Sequence, residues 1–364
     1  MSRLIATRPP ESELGDASML IFFPARLDSA RQSLRAASAG DLSETDLKLI
    51  KLLQADGRAP FVQLAREVGA TEKTVRRRVQ ELRDRKIMEI TAVADPLLLG
   101  YRSTAFVGLK LDKSAQAAEV ARDIFAIPQV DYAVVTTGRY DLVVEALCRE
   151  EKELLELMET QLRTRAAVRH IEVFPILKLH YQLPDWNAAQ RKTSPSPART
   201  AEIDEGDLAI IRELSFDGRA SFAQIAERTG LSEPQVSRRH DRLVADGVMR
   251  VVGITNPRSL GFNTLAWLAI RAAPGVRISD LADRLNAIPS IAYVVVAAGR
   301  FDLFAEVVCA DQTDLLRLLD NDVRPQPDIQ TAEALLCLDL YYRRVMPAAS
   351  PSDDLEAAPN PAFI

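Results

Sequence analysis

Ala55-Asp-Gly-Arg-Ala-Pro-Phe-Val-Gln-Leu-Ala65 returns 161 residues later as Phe216-Asp-Gly-Arg-Ala-Ser-Phe-Ala-Gln-Ile-Ala226. Working outward, Val75-Arg-Arg-Arg-Val-Gln-Glu-Leu82 returns at the same offset as Val236-Ser-Arg-Arg-His-Asp-Arg-Leu243. Ile127-Pro128, Gly138-Arg139, Asp141, Glu145 and Cys148 return as Ile288-Pro289, Gly299-Arg300, Asp302, Glu306 and Cys309. No insertion or deletion separates the stretch Asp46 to Tyr181 from the stretch Asp207 to Tyr342. A gap-free repeat of this length is one structural unit duplicated and fused. Whatever one copy does, the chain carries two versions of it.

Bulk properties set the limits. A chain of 364 residues is long enough for two or more domains with real cores. Its 47% hydrophobic and 27% charged content is ordinary for a globular protein. The net charge of −5 excludes a polycation, so any nucleic-acid contact must come from a local basic patch. Cys148, Cys309 and Cys337 form no CxxC pair and no zinc spacing, which fits buried thiols in a reducing cytoplasm. No apolar run is long enough to span a membrane. Met19-Leu-Ile-Phe-Phe-Pro24 is too short and follows acidic, proline-containing sequence, so no signal peptide is expected. Residues 1–40 lie outside the repeat and read as a flexible arm, with Met19 an alternative start.

Within the first copy, Ser43-Glu-Thr-Asp46 opens a helix, and Leu47, Ile50 and Leu53 follow at helical spacing until Asp56-Gly57. Phe61, Leu64, Ala65 and Val68 mark a second helix, ended by Gly69. Thr71 caps a third, over 72–86, whose inner face is Val75, Val79 and Leu82. A supporting helix followed by two helices around a tight turn reads as a helix-turn-helix. Then Ser103–Leu111 is strand-like, Ala115–Phe125 helical, Val130–Thr137 and Leu142–Leu147 strands around Thr137-Gly-Arg-Tyr140, Glu151–Thr164 helical and Val168–His180 a strand. That β-α-β-β-α-β order is ferredoxin-like.

The expected fold class is α+β, a tandem duplication of a helix-turn-helix domain, plain or winged, followed by a ferredoxin-like domain. The expected boundaries are an arm 1–40, helix-turn-helix 41–98, ferredoxin-like domain 99–182 and a Pro/Ser/Ala/Arg linker 183–203. The second helix-turn-helix takes 204–258, the second ferredoxin-like domain 259–346, and a disordered tail 347–364.

With Val75, Val79 and Leu82 inward, Lys73, Thr74, Arg76 and Arg77 point outward. Arginine's planar fork can hold guanine O6 and N7 together or clamp a phosphate. Residues 71–86 carry seven Lys/Arg against three acids, a positive patch in an acidic protein. The amides of the helix start, with Thr71, suit a phosphate as well. The DNA-facing set in the first copy is Thr71, Lys73, Thr74, Arg76, Arg77 and Arg78; in the second it is Gln235, Ser237, Arg238 and Arg239. The second set is weaker because Ser237 stands where the first copy has Arg76, with Pro234 in the first turn of its helix and His240 at a core-edge position. The first copy is expected to dominate DNA affinity.

Each copy resembles the feast/famine regulators of the Lrp/AsnC family. The resemblance is carried by Leu53-x-x-Asp56-Gly-Arg58, Leu64-Ala65, Val68-Gly69, Val75-Arg-Arg-Arg-Val79-x-x-Leu82 and Gly138-Arg-Tyr-Asp-Leu142, with Gly299-Arg-Phe-Asp-Leu303 in copy two. It covers both units but not the arm, linker or tail. It implies a DNA-binding transcriptional regulator, double-stranded DNA as partner, self-association through the ferredoxin-like domains, and a small-molecule effector such as an amino acid. The family usually carries one unit per chain; two fused units imply a built-in pseudo-dimer. The effector positions it points to are Gly138, Arg139, Asp141, Gly299, Arg300 and Asp302. Where the family often has an acid after the glycine, this chain has Arg139 and Arg300. They suit a ligand carboxylate or mark an altered pocket. Gly138 and Gly299 also read as turn glycines, and Asp141 and Asp302 as turn-closing side chains.

Sirohaem decarboxylases share this domain pair, including fused forms, and supply the alternative, catalytic reading. That group carries a His-Asn-Tyr motif on the second ferredoxin-like strand; here the stretches are Val130-Asp-Tyr-Ala133 and Ile291-Ala-Tyr-Val294. The three histidines, His170, His180 and His240, occupy unrelated positions. No catalytic residue, cofactor or metal is called for. A third reading is an interaction module whose second half has lost DNA binding.

Overall fold

The computed structural model describes residues 42–94, 96–182, 203–255, 257–342, 345 and 347. The arm 1–40, almost all of the linker 183–203 and the tail after Pro347 lie outside the described residues, as does Met19.

The first unit begins with α1 (Glu44–Ala55), α2 (Phe61–Val68) and α3 (Glu72–Asp84). Ser43 and Asp46 cap α1 reciprocally, which satisfies amides the helix start would leave orphaned. Gly69 ends α2 in the left-handed region at φ 67°, where a side chain is disfavoured. Val75, Val79 and Leu82 of α3 are buried against Leu49, Ile50, Leu53 and Leu64. After β1 (Met88–Ala94) come β2 (Ser103–Leu111), α4 (Ala117–Phe125), β3 (Val130–Thr136), β4 (Leu142–Cys148), α5 (Glu151–Glu156) and β5 (Val168–Gln182). From Leu157 to Leu162, α5 continues as a wider π-turn, where the sequence suggested a uniform helix. The second unit repeats the order: α6 (Glu205–Phe216), α7 (Phe222–Thr229), α8 (Glu233–Ala245), β6 (Met249–Thr255), β7 (Thr264–Ala272), α9 (Ile278–Asn286), β8 (Ile291–Ala297), β9 (Leu303–Cys309), α10 (Gln312–Leu318) and β10 (Ile329–Tyr342).

The two helix-turn-helix domains are joined by strands the sequence did not predict. β1 pairs antiparallel with β6, from Met88↔Thr255 to Ala94↔Met249. Each unit's first helix crosses to the other unit's strand: α1 packs on β6, and α6 packs on β1. Gln54 Nε2 donates to Thr255 Oγ1 at 3.0 Å, and Thr91 Oγ1 donates to the Ser215 carbonyl at 2.7 Å. The glycines of the repeated Asp-Gly-Arg turn sit at this joint. Gly57 N donates to Val251 O at 2.8 Å, and Gly218 N to Ile90 O at 2.9 Å. A Cβ on Gly57 would lie 2.9 Å from the Val252 nitrogen, and one on Gly218 2.9 Å from the Ile90 carbonyl oxygen. Glycine is needed there for close backbone approach, beyond its role in stopping the helix.

The two ferredoxin-like sheets close into one eight-stranded barrel, ordered β10-β3-β4-β2-β5-β8-β9-β7. β5 and β10 are the seams. Up to Pro175, β5 pairs with β2 of its own unit; from Ile176 it pairs with β8 of the other. Likewise β10 pairs with β7 up to Leu336 and with β3 from Cys337. Closure leaves neither ferredoxin-like sheet with an open edge, which removes the templates that would otherwise recruit foreign strands there. The units therefore pair within one chain. Among the described residues, no helix is long and apolar enough to cross a membrane.

Candidate nucleic-acid interface

The third helix of each head presents unequal chemistry. On α3, Lys73, Arg76 and Arg77 are exposed. Arg76 and Arg77 each touch an acid one turn away on the same helix, Glu72 and Glu81. Exposed pairs of this spacing contribute only about 0.3–0.5 kcal/mol, so a phosphate or base edge can displace them. Thr71 caps the helix by accepting from Thr74 N at 3.2 Å, and the two hydroxyls meet at 2.9 Å.

Arg78 is placed otherwise than its neighbours. Its Nη1 donates to Asp46 Oδ1 at 2.9 Å and to Ser43 Oγ at 3.1 Å, strapping α3 to the capped start of α1. Burial alone would raise the Asp46 carboxyl, but hydrogen bonds from Ser43 and Arg78 hold it below its usual range. The counterpart in head two, Arg239, donates to Asp204 at 2.7 Å and Asp207 at 2.8 Å. Arg242 also binds Asp207. These arginines brace their heads through the start of the first helix, and Arg78 and Arg239 are less exposed than Arg76, Arg77 and Arg238. The pattern was legible: Asp46 and Asp207 repeat at the helix start, as Arg78 and Arg239 repeat on the third helix.

On α8, Arg238 is exposed and Ser237 half-buried. Gln235 Oε1 is turned to its own helix start, accepting from Ser232 N at 2.9 Å. His240 packs on Phe222 with ring centroids 5.1 Å apart, at the edge of the head's core. Residues 232–247 balance three arginines with three acids, so the local field of the second head is close to neutral.

The six turn positions also serve the fold. Gly138 (φ 92°) and Gly299 (φ 134°) adopt backbone a side chain disfavours. Asp141 closes its turn by accepting from Leu111 N at 2.8 Å and Lys110 Nζ at 2.8 Å; Asp302 accepts from Ala272 N at 2.8 Å. Arg139 forks onto Glu333 of the other unit at 2.7 and 2.6 Å. Arg300 returns the contact, donating to Glu172 at 2.9 Å. Both guanidiniums have carboxylate partners within the chain, each across the boundary between units. The Glu172 carboxyl, which burial would raise, is held down by hydrogen bonds from Tyr140 and Arg300.

Inside the barrel lie two more acids at equivalent positions. Tyr293 OH donates to Glu145 Oε1 at 3.2 Å, and Tyr132 OH to Glu306 Oε1 at a long 3.5 Å. Trp267 Nε1 donates to the Tyr132 oxygen at 2.8 Å. Burial pushes Glu145 up to about 7 and Glu306 up to about 8. Phe106 and Trp267 are their cross-strand neighbours, and these rings pack with Phe174, Phe301 and Phe304 at centroid separations of 5.0–5.8 Å. In the sequence these acids serve only as markers of the repeat, although Glu145 and Glu306 recur in strands otherwise made of apolar residues.

An AsnC-type helix-turn-helix domain matches residues 42–83 and again 203–244. An Lrp/AsnC ligand binding domain matches 104–185 and 265–347. The chain belongs to the Lrp/AsnC family of transcriptional regulators. Its similarity to the HTH-type transcriptional regulator FL11 of Pyrococcus horikoshii is 35% identity over 119 residues, 32% of this chain and 78% of that protein. It is also 25% identical over 144 residues to the regulatory protein AsnC of Haemophilus influenzae, covering 38% of this chain and 96% of that one. These Lrp/AsnC relatives align with about one unit each. Over both units, the fold is similar to that of the sirohaem decarboxylase NirDL, with TM-score 0.60 and 20% identity over 84% of this chain and 95% of that one. At that identity the likeness is one of architecture.

Proposed function

We propose that this Lrp/AsnC regulator grips an asymmetric operator with two unequal reading heads on one rigid body. The observation that carries this is the β1–β6 ribbon with its crossed helices, which fixes the two recognition helices relative to each other. Helix-turn-helix pairs of this kind place their third helices in successive major grooves. Lys73, Arg76 and Arg77 give the first head its phosphate and base contacts; Arg238 gives the second a smaller share. Thr71 and the amides beside it meet a phosphate at the helix start. Footprinting on a sequence selected from a random library tests this. Two dissimilar half-sites are expected, and two identical inverted half-sites would overturn it. Affinity should fall steeply with salt.

Arg139 and Arg300 act as braces between units rather than as receptors for a free amino-acid carboxylate. Both are engaged with Glu333 and Glu172. Millimolar amino acids should leave the melting midpoint unchanged. A stabilisation abolished by Arg139→Ala would restore these turns as the effector site. Self-association uses the outer faces of the barrel, since both sheet edges are consumed within the chain. Leu155 and Leu316 on α5 and α10, and Leu177 and Leu338 on β5 and β10, are exposed and available for it. Light scattering should report a multiple of 40.3 kDa.

The protein acts by binding rather than by catalysis. The strand positions at which the decarboxylases carry their motif hold Asp131-Tyr132 and Ala292-Tyr293, and both tyrosines donate to an acid of the other unit. A tetrapyrrole absorbance band on the purified chain would reverse this assignment.

A further inference from the structure

Phe61 opens α2 of the first head, and two guanidinium groups lie over its ring. One is that of Arg76, 4.3 Å from the centroid; the other is that of Arg219, from the second unit, at 4.0 Å. Arg219 is fixed in place. It donates to the carbonyls of Gly57 at 2.8 Å and Ala59 at 3.0 Å, just ahead of Phe61. Burial and then the nearby Arg58 charge lower its guanidinium to about 10, so it stays cationic at neutral pH. Arg76, by contrast, is an exposed side chain, held also by Glu72 on its own helix at 2.9 and 2.6 Å.

The second head has the same platform without the reader. Arg58 lies over Phe222 at 4.8 Å and donates to Gly218 and Ala220. Ser237 stands in the place of Arg76. A further tie is one-sided in the same sense. Arg83, in the last turn of α3, binds Asp217 of the second unit at 3.0 Å, while its counterpart on α8 is Val244. The first recognition helix thus reaches the second unit through Arg83 and lays Arg76 on a ring shared with Arg219, and the second helix reproduces neither.

A free arginine side chain loses rotamer freedom when DNA immobilises it. An aromatic face and a carboxylate one turn away restrict Arg76 before DNA arrives. The anchored like charge of Arg219 keeps Arg76 from folding further over the ring toward the unit boundary. We propose that Phe61 and Arg219 are positioning residues for Arg76, so that the reading surface of the first head is completed by the second unit. This rests on Arg76 contacting DNA.

The test is a double-mutant cycle on the full-length chain, with a fluorescent duplex recovered by selection from a random library. Phe61→Leu is expected to weaken binding about two- to fivefold in the otherwise native chain and to have no further effect once Arg76→Ala is present. Phe61→Trp, which keeps a ring, should restore binding. Phe222→Leu should leave it nearly unchanged. Arg219→Lys, which keeps the charge but loses the fork, gives a second route to the same coupling with Arg76. Repeating the selection on Phe61→Leu should blur base preference where Arg76 reads and nowhere else. Equal weakening with and without Arg76, or weakening that only follows the melting midpoint, overturns the proposal. A native chain that binds duplexes salt-dependently but shows no coupling sinks this inference alone; one that binds no duplex sinks the DNA-contact reading as well.

Discussion

The two recognition helices, α3 and α8, share a length, a cap position and a buried stripe, yet differ in how they are held and in what they show. Val75 and Leu82 of the one match Val236 and Leu243 of the other, all buried. Outside that stripe, α3 shows Lys73, Arg76 and Arg77 and is tied to the opposite unit through Arg83 and Asp217. The helix α8 shows Arg238 and no counterpart of Arg83; where a single arginine, Arg78, straps α3 to its own first helix, two, Arg239 and Arg242, strap α8 to Asp207. Core positions answer to packing, where one methylene is felt, and so stay alike. Exposed positions answer to the partner, and in a fused chain each copy meets a different part of it.

The comparison breaks most sharply at the readers. Arg76→Ala with Arg77→Ala should lower affinity on the order of a hundredfold, against less than about tenfold for Arg238→Ala, as followed by fluorescence anisotropy. Equal losses would make the heads equivalent. The joint between them should behave in the opposite way. Gly57→Ala and Gly218→Ala each push a methyl into the other unit's backbone and should destabilise the chain by about 1–3 kcal/mol, alike in both copies, in thermal or urea unfolding. A tolerated substitution at either glycine would show that the crossed joint is loose.

The barrel acids sharpen the symmetry further. Glu145 and Glu306 ordinarily titrate near 4.5 and are raised to about 7 and 8 in the fold. The charged groups facing them within the barrel are acidic or neutral: Asp131, Tyr132, Tyr293, Tyr342 and Cys337. Between those limits the folded chain holds protons that the unfolded chain releases, so stability falls as pH rises through that window. Glu145→Gln with Glu306→Gln should flatten the fall and raise the melting midpoint by a few degrees at about pH 8.5. A pH profile unchanged by the double substitution would place the fall elsewhere. Smallest is Arg83→Ala, which should cost about 0.2–1 kcal/mol in unfolding, since the ion pair it breaks is partly exposed.

Much of this was legible in the residues. Helical periodicity located all three helices of each head, and the caps at Ser43, Thr71 and Gly69 followed from side-chain chemistry. Turn signals and alternation located the ferredoxin-like strands. What escaped depends on partners far along the chain. Met88–Ala94 finds its strand partner only at 249–255, so no hairpin turn announces it. Arg139 reads as open to a ligand until Glu333, 194 residues away, is brought beside it. Three successive arginines look alike on paper, but each residue of a helix turns about 100° from the last. That rotation leaves Arg76 and Arg77 outward and carries Arg78 onto Asp46.

β5 and β10 each spend half their length in one unit's sheet and half in the other's. A dimer of identical subunits built this way could not evolve one head without altering both, and two separate genes would have to be expressed in matched amounts. The shared strands settle the stoichiometry at one to one and keep the unlike halves at a high effective concentration for each other. Mixed assemblies of like with like are disfavoured from the moment of synthesis. The chain is thereby free to accumulate differences on its two faces one residue at a time.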